Sequence, residues 1–403
     1  MNIRLTIITI LTVCTALWAM PGTAHGQIYV TDQNGTVGKY NLDGTTVNAS
    51  FITGLALNVD IAIALSGNNL YVVTSGPLTA SGTVGVYDAT TGAAINPSLV
   101  TGFNYPGALA LSGNNLYVVS AQGSGFVGLY DATTGAAINP SLITGPLAYA
   151  AGIAISGNNL YVPSEENLAF GFINEYNATT GAPISVPLIS GLLHTPVGLA
   201  VSGNVLYEAN ANGGTIGTYD ATTGAVINAS FITGLGFPYS LALLGNHLFV
   251  SDTGGGTVGE YDATTGAVIN ASLISGLNGP TGLVVVQPYS AQIQQPINLD
   301  GSSVFSMKRG VVPVKFTLSQ GGNPTCTLPP ATISVIRTAG GALGSIDESA
   351  YLSSADTGSN FRIDSTNCQY VYNLGVGSLG PGEYTVSISI NGSVVGSATF
   401  GLK

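Results

Sequence analysis

Some carboxylate and amide side chains of this sequence could bind a cation. Four of them, in segments far apart along the chain, supply oxygen ligands of the kind that Ca²⁺ and other divalent cations prefer: Asp60, Glu165, Asn210 and Asp252. No phosphate-binding loop, dinucleotide fingerprint or complete Ser-His-Asp set accompanies them. We therefore expect binding rather than catalysis at these positions, assign no catalytic residue and no cofactor, and keep a divalent metal site as the alternative.

Aromatic side chains form a second group of candidate binding residues. Tyr and Phe bring large apolar area, and Tyr adds a polar hydroxyl. Five aromatic candidates and one histidine lie in the segments that connect the strand-like runs. They are Phe103, Tyr105, Tyr149, His194, Phe237 and Tyr239. We expect these side chains to contact a ligand on one face of the fold, together with the four oxygen-bearing residues.

An internal repeat must position these residues. One tyrosine recurs in a shared phrase, as in Val86-Tyr87-Asp88-Ala89, with separations of 47, 43, 46, 43 and 42 residues, at Tyr40, Tyr87, Tyr130, Tyr176, Tyr219 and Tyr261. Each period holds four short runs rich in Val, Ile, Leu and Tyr, bounded by turn residues, and we label these predicted strands a to d. Four strands in about 45 residues are typical of a β-propeller blade.

The ends of the repeat region predict how the blades close. The region begins with a b-type strand at Gln27 and ends with an a-type strand at Gly282 to Val286. Joining these fragments pairs two exposed sheet edges and gives a sixth blade. The predicted fold class is all-β, with a six-bladed propeller over residues 27–288.

The repeated phrases resemble a known group of propellers. Ile28-Tyr29-Val30-Thr31-Asp32, Gly214-Thr215-Ile216-Gly217-Thr218-Tyr219 and Pro196-Val197-Gly198-Leu199-Ala200-Val201 look like NHL and YVTN repeats. The resemblance covers all six predicted blades. It implies the propeller fold, in classes that include binding scaffolds, surface-layer proteins and a few enzymes.

The connecting segments predict one uniform and one variable face. The a–b turns read Ser-Gly-Asn, and the c–d turns read Asp-Ala-Thr-Thr-Gly, in nearly every repeat. The b–c and d–a loops differ from repeat to repeat, and they carry the candidate residues named above. Variable loops on a rigid scaffold are the usual place for function, so we predict binding there. Aspartates of the uniform turns, such as Asp131, are expected to bind their own backbone.

Charge and the amino terminus predict the compartment. Residues 27–288 hold 13 acidic residues and one basic residue, which disfavours nucleic acid as a partner. Residues 1–26 resemble a signal peptide, with Arg4, an apolar run and a small-residue cleavage site before Gln27. A membrane anchor is the alternative for this run, and no other apolar run could span a bilayer. We expect a secreted or cell-surface protein.

Residues 289–403 predict a separate domain. They hold six basic and six acidic residues, and their six strand-like runs favour a small immunoglobulin-like β-sandwich. Cys326 and Cys368 are the two cysteines left after signal cleavage, so one disulfide is expected. Pro313-Val314-Lys315-Phe316 and the closing Phe400-Gly401-Leu402-Lys403 resemble the PxKF domain, which implies a bacterial secreted protein.

Three functions remain open at this point. The first is a secreted, non-enzymatic propeller that binds a glycan, peptide or extracellular protein through its variable face. The second is a metal-dependent lyase or lactonase with its site at the mouth of the central channel. The third is a structural protein of a surface layer or matrix.

Overall fold

The computed structural model describes most of the chain after residue 25. The described residues are 26–55, 62–74, 82–121, 125–145, 147–166, 170–193, 195–287, 289–307, 310–320, 323–326, 329–340, 346, 354–390 and 393–403. All but the last residue of the predicted signal peptide lies outside them. Within these ranges no α-helix occurs, and no helix is long and apolar enough to cross a membrane.

Six four-stranded antiparallel sheets account for residues 27–286. Sheet 1 contains β1 (Gln27–Asp32), β2 (Thr36–Asn41), β3 (Thr46–Ile52) and β24 (Pro280–Val286). Sheet 2 contains β4 (Ile63–Ser66), β5 (Asn69–Thr74), β6 (Gly82–Asp88) and β7 (Ala94–Phe103). Sheet 3 contains β8 (Pro106–Ser112), β9 (Asn115–Ser120), β10 (Phe126–Asp131) and β11 (Ala137–Thr144).

The next three sheets repeat this arrangement. Sheet 4 contains β12 (Ala154–Ser156), β13 (Asn159–Glu166), β14 (Phe170–Asn177) and β15 (Pro183–Leu193). Sheet 5 contains β16 (Pro196–Ser202), β17 (Val205–Asn210), β18 (Thr215–Asp220) and β19 (Val226–Thr233). Sheet 6 contains β20 (Pro238–Leu244), β21 (His247–Asp252), β22 (Thr257–Asp262) and β23 (Val268–Ser275).

The chain ends of this region meet in sheet 1. Strand β1 pairs antiparallel with β24, with Tyr29 opposite Val284. Thr31 adds a side-chain link, because its hydroxyl accepts a hydrogen bond from the backbone N–H of Gly282. Sheet 1 is thus built from the first three strands and the last strand of the region.

Glycine permits the tight turns between the a and b strands. Gly67, Gly113, Gly157, Gly203 and Gly245 all have φ between 58° and 59°, a left-handed conformation that favours glycine. The outer d strands present mostly exposed side chains, whereas the b and c strands are buried on both faces. The hydrophobic core therefore lies between successive sheets.

The repeated tyrosines pack in this core. Tyr40 of sheet 1 shares a buried cluster with Phe249 and Val258 of sheet 6, and Tyr130 of sheet 3 shares one with Val73 and Val84 of sheet 2. Burial raises the pKa of the Tyr40 and Tyr130 hydroxyls. These rings hold neighbouring sheets together.

Two further sheets follow residue 288. Sheet 7 contains β25 (Tyr289–Gln294), β27 (Val311–Gln320), β28 (Asn323–Thr325), β30 (Arg362–Asp364) and β31 (Gln369–Gly375). Sheet 8 contains β26 (Val304–Phe305), β29 (Ala331–Ala339), β32 (Gly382–Ile390) and β33 (Ser393–Leu402). Phe316 of sheet 7 and Phe400 of sheet 8 belong to one buried cluster, so the two sheets share a core. Cys326 and Cys368 form the predicted disulfide.

Candidate functional site

In each of sheets 2 to 6, the uniform turns form one hydrogen-bonded network. In sheet 2, Oδ1 of Asp88 accepts hydrogen bonds from the backbone N–H groups of Thr90, at 2.9 Å, and Thr91, at 2.7 Å. Its Oδ2 accepts one from Nδ2 of Asn68 at 2.6 Å, which ties the c–d turn to the a–b turn. The same network recurs around Asp131, Asp220 and Asp262. These aspartates bind their own turns, as the sequence predicted, and we call this end of each sheet the turn end.

The opposite end, which we call the loop end, carries the b–c and d–a connections. These two kinds of loop contact each other: the backbone N–H of Ala121 donates to the carbonyl oxygen of Tyr105 at 2.9 Å, and that of Thr253 donates to Phe237 at 2.9 Å. The candidate residues that the structure describes lie in these connections or at the adjoining strand ends. Asp60 and His194 lie outside the described residues.

Phe103, one of the predicted ligand-binding residues, is buried between sheets. Phe103 is the last residue of β7, and its side chain is 2% exposed. The ring packs edge to face against Tyr130 of sheet 3, with 5.5 Å between centroids. A side chain that fills an inter-sheet core presents no surface to a ligand.

Asp252 accepts hydrogen bonds from backbone groups of two loops. Its carboxylate accepts hydrogen bonds from the backbone N–H groups of Gly236, at 2.8 Å, Phe237, at 2.7 Å, and Gly255, at 3.2 Å. Asp252 is 8% exposed. The carboxylate thus joins the b–c and d–a loops of sheet 6.

Glu165 and Asn210 have similar local partners. The buried Glu165 accepts a hydrogen bond from the Thr195 hydroxyl at 3.3 Å, and Oδ1 of Asn210 accepts one from the backbone N–H of Gly213 at 2.9 Å. Asn212 also donates to the Thr195 hydroxyl, at 2.7 Å. Among the described residues, no group of three or more His, Cys, Asp and Glu side chains is placed to hold a metal ion.

Four of the predicted aromatic residues do lie at the loop end with accessible area. Phe237 and Tyr239 stack, with 6.4 Å between ring centroids and 23° between ring planes. Tyr105 and Tyr149 have positive φ angles of 48° and 57°. Tyr149 is 58% exposed. A non-glycine residue in this conformation is strained, and such strain concentrates at functional positions.

Residues in the a strands of five sheets, and residues 151–153 just before β12 of sheet 4, line one cavity of about 120 Å³. Its wall is tightly built: a Cβ atom on Gly198 of β16 would lie 2.1 Å from the carbonyl oxygen of Tyr239 in β20. Pockets for small molecules span roughly 300 to 1,000 Å³. This cavity has room for a few water molecules, so a ligand of ordinary size would lie at its mouth, where Tyr239 contributes to the wall.

A buried carboxylate in sheet 5 was missed by the sequence analysis. Glu208 is 1% exposed, and its Oε1 has no hydrogen-bond partner among the described residues. Burial raises the pKa of Glu208 to about 8. Aligning the repeats would have revealed Glu208, because the other five sheets have valine at this position: Val30, Val72, Val118, Val162 and Val250.

Comparison with solved structures shows the class of fold. No protein-family model matches the chain, and no curated protein matches it. The crystal structure of a nidogen/laminin complex matches 64% of this chain and 98% of that chain, with 15% sequence identity and a TM-score of 0.53. Together with the six four-stranded sheets, this likeness shows a β-propeller-type fold.

Two other solved structures were matched at lower TM-scores. A calcium-binding protein, regucalcin, from Agrobacterium tumefaciens strain C58 has 17% identity and a TM-score of 0.45, over 59% of this chain and 83% of that chain. The PQQ-bound aldose sugar dehydrogenase from Streptomyces coelicolor has 14% identity and a TM-score of 0.46, over 56% of this chain and 85% of that chain.

Proposed function

We propose that this chain is a secreted, non-enzymatic binding protein whose loop end contacts a glycan, a peptide or an extracellular protein. In this proposal residues 27–288 form a closed six-bladed propeller of the NHL and YVTN type. Residues 289–403 form an immunoglobulin-like accessory sandwich of the PxKF type. The signal-like sequence at residues 1–26 and the disulfide between Cys326 and Cys368 support export from a bacterial cell.

The observation that carries the binding role is the state of Tyr149. Its ring is 58% exposed although its backbone adopts φ 57°, which costs a residue with a Cβ atom roughly 1 kcal/mol or more. Gly279 has φ 59° at the corresponding place before β24, where no strain arises. An exposed aromatic ring that contributes little packing, at a position suited to glycine, supports a contact role for the side chain.

The geometry around Tyr149 favours contact over catalysis. Asp32, Glu165 and Asp252 at this end accept hydrogen bonds from neighbouring loop residues, and Glu165 and Asp252 are buried. The stacked pair of Phe237 and Tyr239 adds flat aromatic surface at the same end of the fold. Aromatic surface of this kind binds sugars and peptides through apolar and polar contacts together.

Binding to glycan and peptide arrays tests this proposal. The mature chain is compared with Tyr149→Ala, Tyr105→Ala and Tyr239→Ala. Ile138→Ala removes an exposed apolar side chain, 55% exposed, from the outer strand β11 and is the matched control. We expect the tyrosine variants to weaken binding at least tenfold and the control to leave it unchanged. Equal binding by all variants would refute the loop-end assignment.

A second candidate, self-assembly, is favoured by one feature of the outer strands. Each of the six outer strands exposes an aliphatic side chain at the corresponding position: Val47, Ile95, Ile138, Ile184, Ile227 and Ile269, which are 49 to 57% exposed. A repeated apolar belt suits contact with further copies of the chain in a matrix. Sedimentation velocity tests it: assembly that disappears in Ile95→Lys and Ile138→Lys supports this function, and a monomer at all concentrations excludes it.

A further inference from the structure

A lysine of sheet 1 fills a groove between sheets 1 and 2. Nζ of Lys39 donates a hydrogen bond to the carbonyl oxygen of Ala89 at 3.0 Å, in the c–d turn of sheet 2. The ammonium lies 4.9 Å from the ring centroid of Phe51 and 5.4 Å from that of Tyr29. The Tyr29 hydroxyl donates to the same carbonyl oxygen at 2.7 Å. Two aromatic rings and one carbonyl therefore form an ammonium site.

The junction between sheets 5 and 6 repeats every part of this site except the lysine. The Tyr207 hydroxyl donates to the carbonyl oxygen of Ala263 at 2.7 Å. Phe231 lies beside Tyr207, with 5.9 Å and 67° between the rings, against 5.7 Å and 54° for Tyr29 and Phe51. The structure therefore contains the same cage twice.

The strand register identifies which residue replaces the lysine. Lys39 is opposite Tyr29 on one side and Asn48 on the other. Thr218 has the same two relationships, opposite Tyr207 and Asn228. Threonine reaches less far than lysine, and here its hydroxyl donates to the Asn228 carbonyl oxygen at 3.3 Å. The space that an ammonium group takes in the first site is thus left to a ligand in the second.

A groove of about 430 Å³ lies at this place. Its walls include Tyr207, Thr218, Phe231 and Ala263, and its outer rim includes the exposed side chain of Ile227. The lining thus contains both rings and the carbonyl of the cage, and it opens to the surface along the outer strand β19.

Each of the two cages has an aspartate in the turn beside it. Asp88 stands in the turn next to Ala89, and Asp262 stands in the turn next to Ala263. Burial raises the pKa of Tyr207, and the negative charge of Asp262 raises it further, as burial and Asp88 do for Tyr29. A carboxylate close to the cage favours a cation over a neutral guest. Residues 27–288 also carry 13 acidic residues against one basic residue, which attracts cationic partners.

We propose that the groove between sheets 5 and 6 binds the ε-ammonium group of a lysine side chain presented by a partner protein. The ammonium contacts the faces of Tyr207 and Phe231 and donates to the Ala263 carbonyl oxygen, as Lys39 does in the first cage. This site lies between sheets and is separate from the aromatic residues of the loop end.

The other junctions lack this combination. Leucine takes the place of Phe51 and Phe231 in the remaining four sheets, at Leu99, Leu142, Leu188 and Leu273. The residues at the place of Lys39 and Thr218 are then aliphatic or acidic: Val86, Leu129, Glu175 and Glu260. The cage is therefore a property of two sheets out of six, and one of them supplies its own ammonium.

Titration of the mature chain with Nα-acetyl-lysine N-methylamide, followed by NMR, tests the proposal. Exposed cation–π contacts are weak, so we expect a dissociation constant on the order of 1 to 10 mM. The norleucine analogue, which has no ammonium group, is expected to bind at least tenfold more weakly. Equal shifts from the two compounds would overturn the ammonium assignment.

Three variants locate the site. Thr218→Lys places an internal ammonium in the cage and is expected to abolish probe binding. Phe231→Leu, which installs the residue found in four other sheets, is expected to weaken binding at least fivefold while preserving the fold. Lys39→Thr opens the first cage and is expected to add a second binding site for the probe. Unchanged binding by Phe231→Leu, or a single site in Lys39→Thr, would contradict the proposal.

A last comparison identifies the source of the ammonium group. A peptide with one central lysine is titrated beside n-butylamine, which offers the same ammonium group without a peptide backbone. We expect the peptide to bind at least tenfold more tightly, because it also contacts Ile227 and the rim. Equal affinity would assign the site to free amines and overturn the partner-protein part of the proposal.

Discussion

The hydroxyl of Tyr29 in sheet 1 donates a 2.7 Å hydrogen bond to the carbonyl oxygen of Ala89 in sheet 2. The same bond joins each following pair of sheets as far as sheet 6, from Tyr71 to Ala132, Tyr117 to Ala178, Tyr161 to Ala221 and Tyr207 to Ala263. Sheet 6 has Phe249 at this position, which has no hydroxyl group. Five of the six b strands thus use one phenol to fix the position of the next sheet.

Replacing one of these phenols tests its contribution to stability. Tyr117→Phe removes the hydroxyl from a ring that is 2% exposed and leaves the Ala178 carbonyl oxygen without this donor. We expect the free energy of unfolding to fall by about 1 kcal/mol in urea denaturation. Tyr149→Phe, in an exposed ring, is the matched control and is expected to change stability by less than about 0.5 kcal/mol. Equal effects in both variants would contradict this role.

Glu208 is expected to make stability depend on pH. Its pKa is about 8 in the folded chain, against an ordinary value of 4.5, so the folded state binds more protons than the unfolded state between these values. The contribution of Glu208 to stability is therefore greatest below about pH 4.5 and decreases as pH rises towards 8. We expect Glu208→Val to raise the free energy of unfolding at pH 8 by about 3 to 5 kcal/mol and to flatten this part of the pH profile.

A second substitution separates ionisation from packing. Glu208→Gln keeps the shape of the side chain and removes its charge, so it is expected to flatten the pH profile as Glu208→Val does. Denaturation of the three proteins at pH 5, 7 and 8 provides the comparison. A profile that keeps its slope in both variants would show that another group titrates.

Much of the fold followed from the repeat. Turn glycines such as Gly113, the Asp131 turn and the strand-like runs predicted four-stranded sheets, because short-range rules govern them. The direction of a side chain at a strand end is a tertiary property. Phe103 comes directly after a strand-like run, and the sequence analysis placed it in a variable loop. In the structure β7 extends to Phe103 and places its ring against Tyr130.

The candidate site was predicted less well, for a physical reason. A carboxylate in a loop has the same sequence signature whether it binds a ligand or its own backbone, and Asp252 does the latter. Glu208 and Thr218 were detectable in principle, because each departs from the residues at its position in other repeats. Their importance depends on burial and on neighbouring sheets, which no single repeat shows.

The disulfide is expected to stabilise sheets 7 and 8 specifically. Cys326 and Cys368 are 42 residues apart, so cross-linking them restricts the unfolded chain and contributes about 4 kcal/mol in the chain-entropy model. We expect a Cys326→Ala/Cys368→Ala double variant to lower the unfolding transition of these sheets and to leave that of sheets 1 to 6 in place. Calorimetry distinguishes the two transitions, and one transition that shifts as a whole would contradict the prediction.

Replacing Tyr149 with glycine is expected to change stability and ligand binding in opposite directions. Its φ of 57° suits glycine, and its exposed ring contributes little packing, so Tyr149→Gly removes strain at small cost. We expect the free energy of unfolding to rise by about 1 kcal/mol while binding at the loop end falls at least tenfold. Tyr149→Ala is the matched control, because it also removes the ring but keeps a Cβ atom in the left-handed conformation. It is expected to lose binding without the gain in stability. Loss of stability in Tyr149→Gly would show that the ring holds the loop in place rather than facing a ligand.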